Sequence, residues 1–260
     1  MDNMVSHDRT LSVHKEHELL RRLEAAGFND KDAQRVIESR DNQLATNIIR
    51  LVRGEEVRRG TDPKRARLIM KPNFFGAQEV ERHYGYRPDI QYGALDEVPF
   101  PEAVLEKLRH SHVLVAMTRM SVVALHEIVG LPYAGKSESF NRLSFARELE
   151  RKAVWYLVQR YPEEASTWKT WEEQLALLRP EAEVPTARVL IFTIFSHFLE
   201  TGERLFGDMV RTASCTFSKD ADEVSHICVS FDAEGFHIET SRESHRVNKI
   251  GLASMIRAVL

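Results

Sequence analysis

Apolar residues are most concentrated in the C-terminal half of the chain, between Pro185 and Phe206. The positions that recur at helical spacing there are Ala187, Ile191, Ile194, Phe195 and Phe198. Further apolar residues widen this face until the middle of the segment is apolar nearly all round, which predicts a helix buried on several sides. Pro185 suits the first turn of such a helix, and Gly202 suits its C-terminal end.

The pattern elsewhere in residues 73–260 mixes short apolar runs with alternating stretches. The predicted strands are His112–Met117, Lys152–Arg160, Met209–Phe217, Ser225–Asp232 and Phe236–Ser241, with a last short element at Ile250–Ile256. The predicted helices are Asn73–Tyr84, Pro99–Leu108 and Trp171–Leu178, the last with Leu175 and Leu178 facing inward. Val122–Val129 fits either a strand or a helix. The arrangement predicts an α+β domain in which a mostly antiparallel sheet packs on the long buried helix.

Residues 16–53 form a separate pattern of three short helices, after a polar segment (residues 1–15) that we predict to be flexible. The first helix ends at Gly27, Asn29 or Asp30 caps the second, and Asp41 or Asn42 caps the third. Three helices in about 35 residues can bury only a very small core, so this unit is marginal alone.

Four features of residues 16–53 resemble the ubiquitin-associated (UBA) type of three-helix module: Leu23, the Gly27-Phe28 turn, Ala33 and Ala45. In that family the glycine-containing turn and the last helix form a hydrophobic partner-binding surface. The resemblance implies that Gly27, Phe28 and Leu51 contact a protein partner. The alternative is that Gly27 only ends a helix and Phe28 belongs to the core. Similar modules occur in bacterial translation factors, so the resemblance does not imply ubiquitin.

Residues 54–72 contain glycines, prolines and a cluster of basic side chains, which predicts a linker between the helical module and the α+β domain. The basic residues are Arg58, Arg59, Lys64, Arg65 and Arg67. Such a cluster contacts phosphate backbones in some proteins, so weak nucleic-acid association through Arg58–Arg67 is an alternative function. A solvated linker is favoured, because no aromatic residues interleave with these charges.

Several motifs in residues 73–256 resemble an uncharacterised family of hypothetical proteins from small-genome uncultivated bacteria. The most distinctive are the segments NRLSFA (141–146), TWEEQLALL (170–178), HFLETGERLF (197–206), FDAEGFH (231–237) and IGLAS (250–254). The family has no assigned activity. The resemblance therefore implies a coherent domain in a bacterial cytoplasmic protein, and it supplies no catalytic residue.

Composition limits the expected cellular location more than it limits the function. The 260 residues carry a formal net charge of -3, which gives no overall attraction to nucleic acid or anionic membranes. Cys215 and Cys228 are too few for a disulfide framework or a zinc site, and we expect both in strands. No secretory signal or membrane span is recognised, so we expect a cytoplasmic protein with reduced thiols.

The segment Gly130–Ser137, GLPYAGKS, matches the phosphate-binding P-loop pattern. In that motif Gly130 and Gly135 let backbone N–H groups surround the phosphates, Lys136 reaches them, and the Ser137 hydroxyl binds Mg²⁺. A working P-loop requires a strand that ends at Gly130 and a helix that begins near Lys136. The alternative function is thus an enzyme that binds ATP or GTP with Mg²⁺. The missing βαβ alternation favours a coincidental loop instead.

Other chemical groups give no site. The histidine pairs His14/His17 and His110/His112 have no evident third ligand, so no metal is expected. We expect His197 to be a core or rim imidazole with one hydrogen bond. Glu200, Glu203 and Arg204 indicate a solvated helix end with a local ion pair. No catalytic residue is assigned, and the favoured interpretation is a non-enzymatic interaction protein with a partner-binding helical module.

Overall fold

The structure, a computed structural model, describes residues 12–38, 45, 48–49, 52, 60–85, 95–130, 143–149, 153–218 and 223–257. Contacts divide the chain into two units, Met1–Val57 and Arg58–Leu260. In the part that is described, no helix is both long and apolar enough to cross a membrane.

The N-terminal unit contains helices α1 (Val13–Ala25) and α2 (Asp30–Ile37). α1 ends in a Schellman motif: the Phe28 N–H donates to the Leu23 carbonyl at 2.9 Å, the Gly27 N–H donates to that of Glu24 at 2.9 Å, and Gly27 has a φ of 95°. Asn29 caps α2, as predicted. Residues 45, 48, 49 and 52 are helical where the third helix is predicted, and its predicted caps, Asp41 and Asn42, lie outside the described residues. α1 begins three residues before the predicted module boundary.

The C-terminal unit is α+β, as predicted. Its helices are α3 (Pro63–Met70), α4 (Ala77–Tyr84), α5 (Glu102–Leu108), α6 (Val122–Val129), α7 (Ser144–Arg147), α8 (Trp171–Leu175) and α9 (Ala187–Thr201). Its strands are β1 (Phe74–Phe75), β2 (His112–Met117), β3 (Val154–Gln159), β4 (Ala182–Glu183), β5 (Met209–Ser218), β6 (Glu223–Phe231), β7 (Phe236–Arg242), β8 (Ile250–Leu252) and β9 (Met255–Arg257).

These strands form two sheets, where the sequence predicted one. The first has the order β1-β2-β3-β9-β4 and the second β7-β6-β5-β8. Only the β1–β2 and β5–β8 pairings are parallel among the described strands. The predicted last element, Ile250–Ile256, is divided at Ala253–Ser254, so that β8 joins the second sheet and β9 the first. The C-terminal segment therefore connects the two sheets.

Helix α9 lies at the centre of the unit and packs against β2 of the first sheet and against β5 and β6 of the second. Every residue from Val189 to His197 is buried, which confirms the predicted central helix. The Thr186 hydroxyl caps its N-terminus and Gly202, with φ of 74°, ends it. Pro185 precedes the N-cap and is outside the first turn where it was predicted, because the Thr186 side chain supplies the capping oxygen.

Both faces of the first sheet are covered. Along β2, Val113 and Val115 face the core around α9, while Leu114 and Ala116 face a second core beneath α3 and α5. This second core explains why β2 reads as a continuous apolar run without alternation.

Helix α3 corrects the predicted linker, since residues 63–70 belong to the folded unit. Ala66, Ile69 and Met70 are buried in the second core. Asp62 caps the helix by accepting from the Lys64 N–H at 2.9 Å, and Pro63 occupies the first turn. Asp-Pro before apolar residues at i, i+3 and i+4 is a helix-start signal, which the basic composition of the segment obscured.

Helix α8 corrects the predicted inward face of residues 171–178. Gln174 is fully buried and Leu175 is exposed. The Gln174 amide donates to the carbonyls of Ser166, at 2.7 Å, and Ile250, at 3.1 Å. A polar side chain takes the inward position because it satisfies backbone groups of distant segments.

Candidate functional site

The structure does not give Gly130 the setting of a P-loop. The preceding segment is helix α6, which Gly130 ends in a left-handed conformation with φ of 65°. Its N–H donates to the His126 carbonyl at 2.9 Å. A P-loop requires a strand at this point, so the ambiguous segment 122–129 resolves against the ATP or GTP interpretation. Gly135, Lys136 and Ser137 lie outside the described residues.

Part of the basic segment 58–67 is engaged in contacts within the fold. Arg65 forms an ion pair with Glu102, with Nε 2.9 Å from a carboxylate oxygen. Arg67 is 3.0 Å from a carboxylate oxygen of Glu79, and its guanidinium lies 5.0 Å from the centre of the Phe74 ring. Two of the five basic side chains are therefore engaged within the fold, and Arg58 and Arg59 lie outside the described residues.

The predicted partner-binding residues lie in the N-terminal unit. Gly27 is exposed, Phe28 is half-buried, and Leu51 lies outside the described residues. None of the described side chains of this unit is buried. Six large apolar side chains are exposed, which we call the N-terminal apolar set: Leu19, Leu20, Ile37, Ile48, Ile49 and Val52. Large exposed apolar patches are typical of interaction sites, and these side chains supply apolar area for one.

At the C-terminal end of α9, three side chains form a hydrogen-bonded chain from the core to the surface. The buried His197 ring has Nε2 3.2 Å from Oε2 of Glu203, and Nη2 of Arg160 donates to the same oxygen at 2.6 Å. Burial, above all, lowers the pKa of His197. The pKa of Glu203 is also lowered, since His197 and Arg160 together outweigh the effect of its partial burial.

In this hydrogen-bonded chain of side chains, the His197 ring has the wrong orientation for a catalytic base. A histidine that acts as a base bonds a carboxylate through one nitrogen and presents the other to substrate. Here the carboxylate, half-exposed Glu203, is on the solvent side. The opposite nitrogen, Nδ1, is buried and has no hydrogen-bond partner. We therefore interpret His197 as a core imidazole, in line with the sequence.

The charged residues near the end of α9 contact other elements and do not form a local ion pair with one another. Glu200 accepts from Arg82 Nη2 at 2.9 Å and lies 2.9 Å from Nε2 of His83, both on α4. Arg204 lies 5.2 Å from the centres of the Phe198 and Phe231 rings. The predicted local ion pair is thus replaced by contacts that join α4, α9 and β6.

Sequence reasoning missed Arg211, which is fully buried in β5. Its guanidinium donates to Gln174 Oε1 at 2.8 Å, Ser241 Oγ at 2.8 Å, the His245 carbonyl at 2.6 Å and the Lys169 carbonyl at 3.0 Å. All of these acceptors are neutral, and burial lowers the pKa of Arg211. With its hydrogen bonds used inside the fold, Arg211 orders two loops and offers no binding site.

A second buried polar group, His226 on β6, was also missed. Its ring stacks on Trp171 with centroids 3.7 Å apart. Nδ1 lies 3.0 Å from the Thr212 carbonyl and Nε2 lies 3.0 Å from Glu243 Oε1. The group connects β5, α8 and the segment after β7.

Among the described residues, the cysteines and the possible metal ligands form no reactive centre. Both cysteines are unpaired and lie in strands, as predicted, with Cys215 exposed and Cys228 buried. Burial raises the pKa of the Cys228 thiol to about 12, so it is not a ready nucleophile. Across the described residues, no three metal-ligating side chains are grouped to hold an ion.

Comparison with known proteins adds no function: no family, curated protein or solved structure matches the chain. The fold and the side-chain geometry define an α+β chain in two units. Its prominent features are the exposed apolar side chains of the N-terminal unit and several buried polar networks that join elements of the C-terminal unit.

Proposed function

We propose that the chain is a non-enzymatic interaction protein whose N-terminal unit binds a protein partner that presents an apolar patch. The observation that carries the proposal is the N-terminal apolar set, exposed in a unit of which no described side chain is buried. Covering such side chains removes about 25 cal/mol of unfavourable free energy per Å² of apolar area, so a protein partner is the occupant that gains most.

The turn at Gly27 supports this proposal through its geometry. The Schellman motif fixes the direction in which the chain leaves α1 and places the half-buried Phe28 beside it. Gly27 is exposed, and an added Cβ would meet nothing within 4 Å. Gly27 and Phe28 thus remain proposed contact residues together with Leu51, by resemblance to UBA modules. We also propose a cytoplasmic location, which suits the two unpaired thiols.

The binding test uses the full chain with Ile37→Gln and Val52→Gln combined, because these side chains are 75% and 79% exposed. Glutamine is a good helix former, so the helices are retained. Partners captured from a lysate of the source organism by wild-type protein are identified and purified. Their affinities for wild type and variant are then compared directly. We expect the variant to bind at least about tenfold more weakly, since each lost side chain contributes roughly 1 kcal/mol.

The matched control is Arg35→Gln, an exposed charged residue on α2. It should retain wild-type affinity. Equal affinity of the purified partner for wild type and the double variant overturns the proposal, as does failure to capture a partner. Sedimentation velocity tests whether the protein associates with itself. If the wild type is a dimer and the double variant is a monomer, a second copy of the chain, and not a different protein, covers these side chains.

A further inference from the structure

We draw no further inference here: the strongest candidate, the exposed Trp168 side chain in the loop that connects β3 to α8, carries no proposal because nothing in the structure shows what covers its ring.

Discussion

At the scale of single residues, the C-terminal unit depends on buried polar groups that satisfy distant backbone atoms. Arg211 is the strongest case, because its guanidinium organises the loops on both sides of Gln174 with neutral acceptors only. A buried cation without a carboxylate partner is stable only while its hydrogen bonds are complete.

Replacing Arg211 with lysine should destabilise the protein by about 3 kcal/mol, because an ammonium group cannot reproduce the planar fork and leaves buried acceptors unpaired. Urea unfolding followed by tryptophan fluorescence measures the change. Arg179→Lys, at an exposed position, should change the free energy of unfolding by less than about 0.5 kcal/mol. A similar small effect at Arg211 would show that the network is not required.

His112 should make stability depend on pH. Burial, and then the positive charge of Arg179, lowers its pKa from 6.5 to about 4. Between these values the unfolded chain binds a proton that the folded chain does not. The stabilisation is therefore complete above pH 6.5 and is lost as the pH falls toward 4, by up to about 3 kcal/mol. The lowered pKa of His197 acts in the same direction.

Urea unfolding at several pH values tests this dependence. His112→Asn retains a polar group that can hydrogen-bond to the neighbouring Ser111 hydroxyl and cannot titrate, so its stability should fall less steeply between pH 6.5 and 4. His110→Asn, exposed and two residues away, should retain the wild-type slope. Equal slopes in all three proteins would contradict the assignment to His112.

At the scale of secondary-structure elements, an element can be predicted from sequence when the contacts that determine it lie within its own segment. α9 was predictable because its own apolar pattern and Gly202 specify a buried helix and its end. α3 was not predicted, because its basic residues indicated a linker although Asp62-Pro63 is a helix-start signal. The buried face of α8 was not predictable, since Gln174 points inward to satisfy Ser166 and Ile250, and Ile250 is 76 residues away.

The role of Gly202 in ending α9 can be tested by comparing alanine substitutions at Gly202 and Gly207. Gly202 has a φ of 74°, so Gly202→Ala should destabilise the protein by about 1 kcal/mol. Gly207 has no such φ, and an added Cβ there would meet nothing within 4 Å. Gly207→Ala should therefore be neutral or slightly stabilising, because it reduces the freedom of the unfolded chain. Thermal unfolding compares them, and equal melting temperatures would contradict the role of Gly202 as a helix end.

At the scale of the whole molecule, contacts divide the chain into the units Met1–Val57 and Arg58–Leu260, and residues 63–70 of the predicted linker (residues 54–72) form a helix of the second unit. The candidate sites were less predictable. The P-loop match is a property of residue types, and only the helix that precedes Gly130 shows that the local structure differs from a P-loop.

The assignment of residues 63–70 to the C-terminal unit can be tested at two positions of α3. Met70 is 1% exposed in the second core, so Met70→Ala should destabilise the C-terminal unit by about 2–4 kcal/mol. Leu68, two residues away on the same helix, is 67% exposed, and Leu68→Ala should cost less than about 0.5 kcal/mol. All three tryptophans lie in this unit, so tryptophan fluorescence in urea reports its unfolding without a signal from the N-terminal unit. A linker would give two equally small effects, because neither side chain would then be packed. A large cost at Met70 alone would establish that the chain enters the folded unit before residue 70, and that Arg65 and Arg67 are part of its surface.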